Sequence, residues 1–130
     1  MNRIEESYIR HCLKPRVACD LPGRLRLCFE HYARLPEGAR PYLHYVEDVL
    51  KLLPGVHTVQ LNPRIGTILV LYETDTVSVR QILRWVGIVV DTGMELAREL
   101  PQGAMDEVSL ADEVRRRLVL RLPKSKEQRS

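Results

Sequence analysis

The chain has 130 residues, of which 45% are hydrophobic and 28% are charged, and its formal net charge is +3 at pH 7. This length fits one small domain with a single core. Because the chain contains only five tyrosines, one phenylalanine and one tryptophan, that core must be built mainly from leucine, valine and isoleucine.

The sequence predicts neither a membrane span nor a secretory leader. The longest apolar run, residues 85–90, is about a third of the length that a span needs. Glu5 and Glu6 stand where the apolar centre of a leader would begin. The three cysteines match no zinc-ligand spacing, and we expect them to be free thiols in a soluble, cytoplasmic protein.

Positive charge is concentrated at the C-terminus. The last sixteen residues hold seven basic side chains and one glutamate, so they carry +6 and the first 114 residues carry −3. Such a segment is typical of contacts with nucleic acid, an anionic membrane surface or an acidic partner, and it also fits a solvated tail. The candidate contact residues are Arg115, Arg116, Arg117, Arg121, Lys124 and Lys126.

The N-terminal part predicts a lead and a strand. Residues 1–14 show no clear period and are interpreted as a flexible lead or a short helix, and we favour the lead. Residues 16–30 alternate as one strand, with a bulge or bend at Pro22-Gly23. Cys19 falls on the apolar side and is predicted to be core. After the bend, the apolar side holds Leu25, Leu27 and Phe29, and the other side holds Arg24, Arg26 and Cys28.

A helix and a hairpin follow. Residues 41–53 carry apolar side chains at helical spacing, and Pro54-Gly55 ends that pattern. Residues 56–61 and 67–72 are rich in β-branched and large apolar residues. Turn-forming residues 62–66 separate them, so the two segments predict a β-hairpin.

A second helix is predicted from about Val77. Ser78 or Thr76 can cap its N-terminus. Its apolar stripe comprises Val79, Ile82 and Val86. Two interpretations stay open beyond Gly87, because the helix either continues to Leu100 or breaks at the glycine. The inward residues of the continued helix would be Met94, Ala97 and Leu100.

A further helix is predicted after the break at residues 101–103, from Ser109 to about Arg117. The fourth strand has two candidates, residues 88–91 and residues 118–122, and we favour the second. This order predicts an α+β fold, a ferredoxin-like βαββαβ sandwich with an additional C-terminal helix. The predicted organisation is a flexible lead at 1–14, the ferredoxin-like domain at 15–100, a C-terminal extension packed on it at 101–122 and a basic tail at 123–130.

The helix exit and the hairpin resemble the heavy-metal-associated (HMA) domain. The resemblance rests on Leu53-Pro54-Gly55-Val56, on the turn from Asn62-Pro63 to Gly66, and on Val70 and Tyr72, and it covers about residues 17–86. HMA domains have a ferredoxin-like fold and occur in heavy-metal P-type ATPases and metallochaperones. The resemblance therefore implies a metal-handling setting.

The HMA metal site does not transfer to this chain. In the family, a Cys-x-x-Cys pair stands at the start of the first helix, and the corresponding positions here are Ala39 and Tyr42. Neither side chain binds a soft metal. The earlier segment Leu21-Pro22-Gly23-Arg24-Leu25-Arg26-Leu27 resembles the first strand of a divergent branch of the family that lacks the cysteine pair.

Cys28 and His31 could form a relocated metal site near the end of the first strand. Two ligands are too few for a structural zinc, and His11 and Cys12 would complete the set only if the N-terminal segment folded back. Haem ligation through His31, His44 or His57 is a weaker alternative, and His44 and His57 have no partner at ligand spacing. The plainer interpretation is a partly buried cysteine and a loop histidine, with no cofactor.

One face of a ferredoxin-like sheet carries no helices. Alternation predicts that Leu69 and Leu71 point to this face. The neighbouring first strand adds Arg24, Arg26 and Cys28. An exposed apolar patch with an arginine border is typical of a contact surface. The C-terminal helix, a second copy or another protein could cover it, and we favour the helix.

These observations predict a non-catalytic module. The sequence shows no phosphate loop and no nucleophile paired with a base, so we expect no enzyme activity. The open face lacks the aromatic residues that stack nucleic-acid bases, which argues against that ligand. Our first hypothesis is an HMA-like interaction module in a metal-handling setting. It would bind another protein or a second copy through the sheet face, and its basic C-terminus could contact a membrane surface. The alternative is a metal- or haem-binding module around Cys28 and His31.

Overall fold

The computed structural model describes residues 3–34, 45–99 and 107–123. They form an α+β fold in which one face of a four-stranded antiparallel sheet packs against helices. The helices are α1 (Arg3–Cys12), α2 (Val46–Leu50), α3 (Val79–Glu99) and α4 (Glu107–Leu120). The strands are β1 (Arg16–Leu21), β2 (Arg24–Cys28), β3 (Val56–Asn62) and β4 (Thr67–Tyr72), and a 3₁₀ turn at Tyr32–Arg34 follows β2.

The strand order is β1-β2-β4-β3, and all neighbouring strands are antiparallel. The prediction of one bent strand over residues 16–30 is wrong, because Pro22-Gly23 closes a hairpin between β1 and β2. Gly23 has a φ of 76°, and a positive φ at the second central residue after a proline is typical of a type II turn. β1 therefore occupies the sheet edge beside β2, and this order does not confirm the ferredoxin-like arrangement.

Neither candidate for a fourth strand after the second helix is a strand. Residues 88–91 lie inside α3, and α4 continues to Leu120. Helical spacing of buried residues overrides local β-propensity at both places. In α3, Trp85 and Thr92 are buried on either side of the β-branched segment, and in α4 Val114 and Leu118 lie one turn apart on the packed face.

The hairpin predicted around residues 62–66 is confirmed as β3 and β4. Its entry depends on Gly55, which has a φ of 96°. A Cβ atom there would lie 2.9 Å from the side chains of Thr76 and Val77, so both conformation and space require glycine. Of the helix predicted over residues 41–53, the structure shows α2, and residues 41–44 lie outside the described residues.

α3 runs without interruption past Gly87, which confirms the continuous interpretation as far as Glu99. Ser78 caps the helix. Its hydroxyl accepts a hydrogen bond from the Gln81 backbone N–H at 3.2 Å, and Gln81 Oε1 accepts one from the Ser78 N–H at 2.9 Å. This reciprocal pair is a capping box. Gly87 is exposed, so its missing side chain removes no core packing.

The inward residues near the end of α3 were predicted only in part. Met94 is buried as expected, but Ala97 is exposed and Leu96 is buried instead, and Leu100 lies outside the described residues. The reason is that this half of α3 is contacted from two directions. Arg10 of α1 pairs with Asp91, and α4 docks along another side of the helix. The buried positions therefore do not form one stripe.

The core lies between the sheet and the helices and is mainly aliphatic. Leu25 and Leu27 of β2 are fully buried, and Trp85 of α3 is 1% exposed. The Trp85 indole Nε1–H donates a hydrogen bond to the Val49 carbonyl oxygen at 3.1 Å. This bond joins α3 to α2 within the core.

The prediction that the C-terminal helix covers Leu69 and Leu71 is wrong. Leu118 of α4 is fully buried in the cluster formed by Leu25 and Leu27, on the helix side of the sheet, and the helix packs along α3. Leu69 and Leu71 are not part of that cluster. The face of the sheet to which they point is therefore left open by α4.

Candidate interaction surface

Twelve side chains form three rows across the face of the sheet that points away from the helices. Directly paired residues of an antiparallel sheet point to the same face, so the register identifies each row. The rows are Leu21-Arg24-Leu71-Thr58, Cys19-Arg26-Leu69-Gln60 and Arg16-Cys28-Thr67-Asn62. These twelve residues are termed the open face.

The structure brings together the four residues predicted to form an interaction face. Arg24 pairs directly with Leu71, and Arg26 pairs with Leu69. Both leucines are half-buried, and both arginines are exposed. Leu21, which is 52% exposed, extends the apolar centre towards the edge of the sheet.

Cys19 lies on the open face and is exposed, so its assignment to the core is wrong. A bulge between Val17 and Cys19 shifts the register of β1 against β2 by one residue. Such a shift moves the following side chains to the opposite face. Val17 pairs with Leu27 on the helix side, whereas Cys19 pairs with Arg26 on the open face.

The open face is positively charged. Its three charged residues are Arg16, Arg24 and Arg26, and none of its twelve members is an aspartate or a glutamate. Arg16 forms an ion pair with Glu30, which lies just beyond β2. Within residues 3–34, 45–99 and 107–123, Arg24 and Arg26 have no ion-pair partner. The face therefore attracts carboxylates.

The predicted metal ligands are brought together only in part. α1 folds back, so that the rings of His11 and His31 stack with centroids 4.3 Å apart and planes at 24°. Cys28 is half-buried on the open face, and Cys12 is fully buried. In the described part of the chain, no group of three or more histidine, cysteine, aspartate or glutamate residues could hold a metal ion. The lone pair of an imidazole nitrogen lies in the plane of its ring. Two stacked rings therefore do not direct their lone pairs at one point between them, and they cannot bind the same metal ion in this arrangement.

His57 pairs with a carboxylate. Its Nε2 lies 2.7 Å from Oε1 of Glu73, and both side chains are exposed. The pair links β3 to the residue that follows β4. His44, the other histidine considered for haem, lies outside the described residues.

Arg117, from the predicted basic tail, is held in ion pairs within the chain. Its guanidinium nitrogens lie 2.9 Å from a Glu95 oxygen, 2.7 Å from Glu99 and 3.1 Å from Glu113. Two of these glutamates belong to α3, so the arginine joins α4 to α3. Its side chain is 24% exposed, which limits its access to another molecule.

Two neighbours of Arg117 are also engaged. Arg116 pairs with Glu113 at 2.7 Å. Arg121 pairs with Glu95 at 2.7 Å and donates a hydrogen bond to Oγ1 of the buried Thr92 at 2.6 Å. Three of the six predicted contact residues thus have partners inside the molecule. Arg115 is exposed, and Lys124 and Lys126 lie outside the described residues.

These contacts shift the pKa values of the groups involved. The hydrogen bond from Arg121 is the main cause that lowers the pKa of Glu95, with a further contribution from Arg117. Hydrogen bonds from Arg116 and then Arg117 lower the pKa of Glu113. Hydrogen bonding to Glu99, and next to Glu113, raises the pKa of Arg117. The charged forms of all three groups are therefore favoured by folding.

We expect the stability of the protein to fall as the pH drops below the ordinary glutamate pKa of about 4.3. Glu95 and Glu113 have lowered pKa values when folded, so the unfolded chain takes up protons first as the pH falls. Their contribution is complete above that pH and is lost towards the folded pKa. Urea denaturation between pH 7 and pH 3 measures this loss. The Glu95→Gln/Glu113→Gln variant should be less stable at pH 7 and should lose less on acidification; equal slopes for both proteins would contradict the expectation.

The N-terminal segment forms a helix from Arg3 to Cys12, which agrees with the short-helix alternative and not with the flexible lead. Tyr8 donates a hydrogen bond from its hydroxyl to the Arg34 carbonyl oxygen at 2.9 Å. A sequence signal existed, because acidic residues occupy the first turn and Arg10 and His11 occupy the last, where they complement the helix dipole. The helix packs against the 3₁₀ turn and α3, away from the open face.

No protein-family model, curated protein or solved structure matches this chain. None of the helices in the described parts of the chain combines the length and apolar character that crossing a membrane requires.

Proposed function

We propose that this chain is a non-catalytic interaction module that binds an acidic protein through the open face. The proposal rests on one observation: Leu69 and Leu71 form an apolar centre that no described helix covers, beside Arg24 and Arg26, and none of the twelve open-face residues is a carboxylate. Contact surfaces combine an apolar centre with a charged border, and arginine is enriched in them.

The charge pattern favours a different protein over a second copy. Face-to-face contact between two copies would place the arginines of one open face against those of the other, and like charges oppose such an association. A partner with carboxylates around an apolar centre avoids this repulsion. We also propose that the module works in a metal-handling setting. This part of the proposal rests only on the resemblance of the residues around Pro54-Gly55 to the HMA domain.

The test uses a synthetic peptide of four Glu-Val repeats as the acidic probe and the full chain as the receptor. Binding is measured by fluorescence anisotropy of the labelled peptide. We expect the Arg24→Glu/Arg26→Glu variant to bind at least about tenfold more weakly, because it replaces attraction by repulsion at both positions. Affinity should also fall with added salt.

The matched control is Arg80→Glu/Arg84→Glu, which makes the same charge change at two exposed positions of α3. Its affinity should stay within about twofold of the unchanged chain, apart from the general effect of net charge. Absence of binding, or an equal loss in both variants, would overturn the proposal, since the open face would then not be the site of contact.

The second candidate is a metal- or haem-binding module around Cys28 and His31. The observation that favours it is the fold-back of α1, which brings the imidazole of His11 to that of His31. The rings would have to turn before both could ligate. Titration with Zn²⁺ and Cu⁺ under reducing conditions distinguishes the candidates: a stoichiometric site that is lost in His31→Ala would favour metal binding over the interaction module.

A further inference from the structure

The helix layer of the molecule stops short of β1. All six residues of this strand are exposed. Val17 and Asp20 point to the helix side, because they pair with Leu27 and Leu25, yet those two partners are fully buried. The helices in the described part of the chain therefore cover β2 but not β1. Among the described residues, no strand lies on the outer side of β1, and the side chains on both of its faces are exposed.

The outer edge of β1 also offers backbone hydrogen-bonding groups. Within the described residues, β1 pairs with β2 alone. Leu21 and Arg24 flank a two-residue turn, so they form the hydrogen-bonded pair that closes the hairpin. Pairs alternate along an antiparallel ladder, and the next pair, Asp20 and Leu25, is therefore not hydrogen-bonded. The N–H and C=O groups of Asp20 consequently point outwards.

The two sides of this edge differ in charge. On the open face, β1 contributes Arg16, Cys19 and Leu21, with Arg24 and Arg26 on the neighbouring strand. On the helix side, β1 contributes Val17 and Asp20. A strand that lay beside β1 would therefore find arginines on one of its faces only.

We propose that the edge of β1 accepts an extended segment of an acidic partner as a fifth strand. Its acidic side chains would alternate with apolar ones, the former beside the arginines of the open face and the latter beside Val17. This inference rests on the proposed function and specifies the form of the partner. Carboxylates on alternate residues match the arginine side, and uncharged residues between them avoid repulsion by Asp20.

The bulge between Val17 and Cys19 limits this pairing. Exposed edges invite aggregation, and bulges are one of the devices that restrict it. Here the bulge leaves a short regular stretch from Cys19 to Leu21 next to the turn. A short stretch makes few backbone hydrogen bonds, so the added strand depends on its side-chain charges as well.

The experiment compares three versions of the Glu-Val peptide with the full ¹⁵N-labelled chain. One peptide is unmodified, one is N-methylated at every valine, and one is N-methylated at every glutamate. In an extended peptide, the N–H groups of the glutamates point to one edge and those of the valines point to the other. Only one of these edges can face β1, so one methylated peptide should bind at least tenfold more weakly than the other. Exchange of the Asp20 amide hydrogen should slow at least tenfold when the unmodified peptide saturates the chain. A Lys-Val peptide of the same length controls for charge and should not bind.

The outcomes separate this inference from the proposed function. If all three acidic peptides bind equally and still require Arg24 and Arg26, the added strand is disproved and the interaction module stands. If no acidic peptide binds, both fail. If Asp20 is protected without peptide and its protection grows with protein concentration, a second copy occupies the edge, and the inference is overturned.

Discussion

Replacing Trp85 with alanine is expected to lower the free energy of unfolding by about 3–5 kcal/mol. The side chain is 1% exposed, so its removal leaves a cavity in the core. The change also removes the hydrogen bond from the indole to the Val49 carbonyl oxygen. Small proteins are stable by about 5–15 kcal/mol, so this variant should be severely destabilised. Because the chain has a single tryptophan, unfolding in urea is followed by far-ultraviolet circular dichroism rather than by fluorescence.

Arg84→Ala provides the control for this prediction. Arg84 is the preceding residue of α3 and is exposed, so its loss should change the stability by less than about 0.5 kcal/mol. Trp85→Phe should fall between the two, since it retains an aromatic ring and the Val49 carbonyl still accepts a bond from Leu52 N at 3.3 Å. Equal stability of Trp85→Ala and Arg84→Ala would contradict the placement of Trp85 in the core.

The sequence was sufficient to predict which side chains share a face of β2 and β4. The side-chain period of a strand is two, so the alternation of Leu25 and Leu27 with Arg24 and Arg26 separates the two faces without further information. The hairpin that follows Gly55 was equally clear, because β-branched segments flank strong turn residues. The centre of the candidate surface could therefore be predicted from local pattern.

The edge of the sheet could not be predicted in the same way. Val17, Cys19 and Leu21 alternate as a single apolar stripe in the sequence, but the bulge places Val17 on one face and the other two on the opposite face. The bulge leaves Ala18 without a partner in the register. The alternation of apolar and polar residues does not reveal such an extra residue. The sequence indicates a local distortion at Pro22-Gly23. Only the pairing of β1 with β2 shows that these two residues form a hairpin turn.

The position of α4 depends on contacts between distant residues. A basic helix with an apolar stripe is compatible with an anionic membrane, an acidic protein or the chain itself. The structure decides between them, because α3 presents carboxylates where Arg117 and Arg121 reach them. Pairs of this kind, separated by more than twenty residues, have no signature in local spacing.

Leu118→Ala is expected to lower the free energy of unfolding by about 2–5 kcal/mol. Leu118 is 0% exposed and joins the core cluster from α4, so shortening it opens a cavity where this helix meets the rest of the molecule. A helix of this length is marginal alone in water, which makes its docking dependent on such contacts. Urea denaturation at neutral pH measures the change.

Leu120→Ala is the matched control, because it makes the same substitution two residues further along α4 at a side chain that is 82% exposed. Both variants change helix propensity in the same direction, so this contribution largely cancels in the comparison. The control should remain within about 0.5 kcal/mol of the unchanged chain. If the two variants were equally stable, α4 would not be docked through Leu118. The apolar stripe of the helix would then be free for an external partner, and a second contact surface would have to be considered beside the open face.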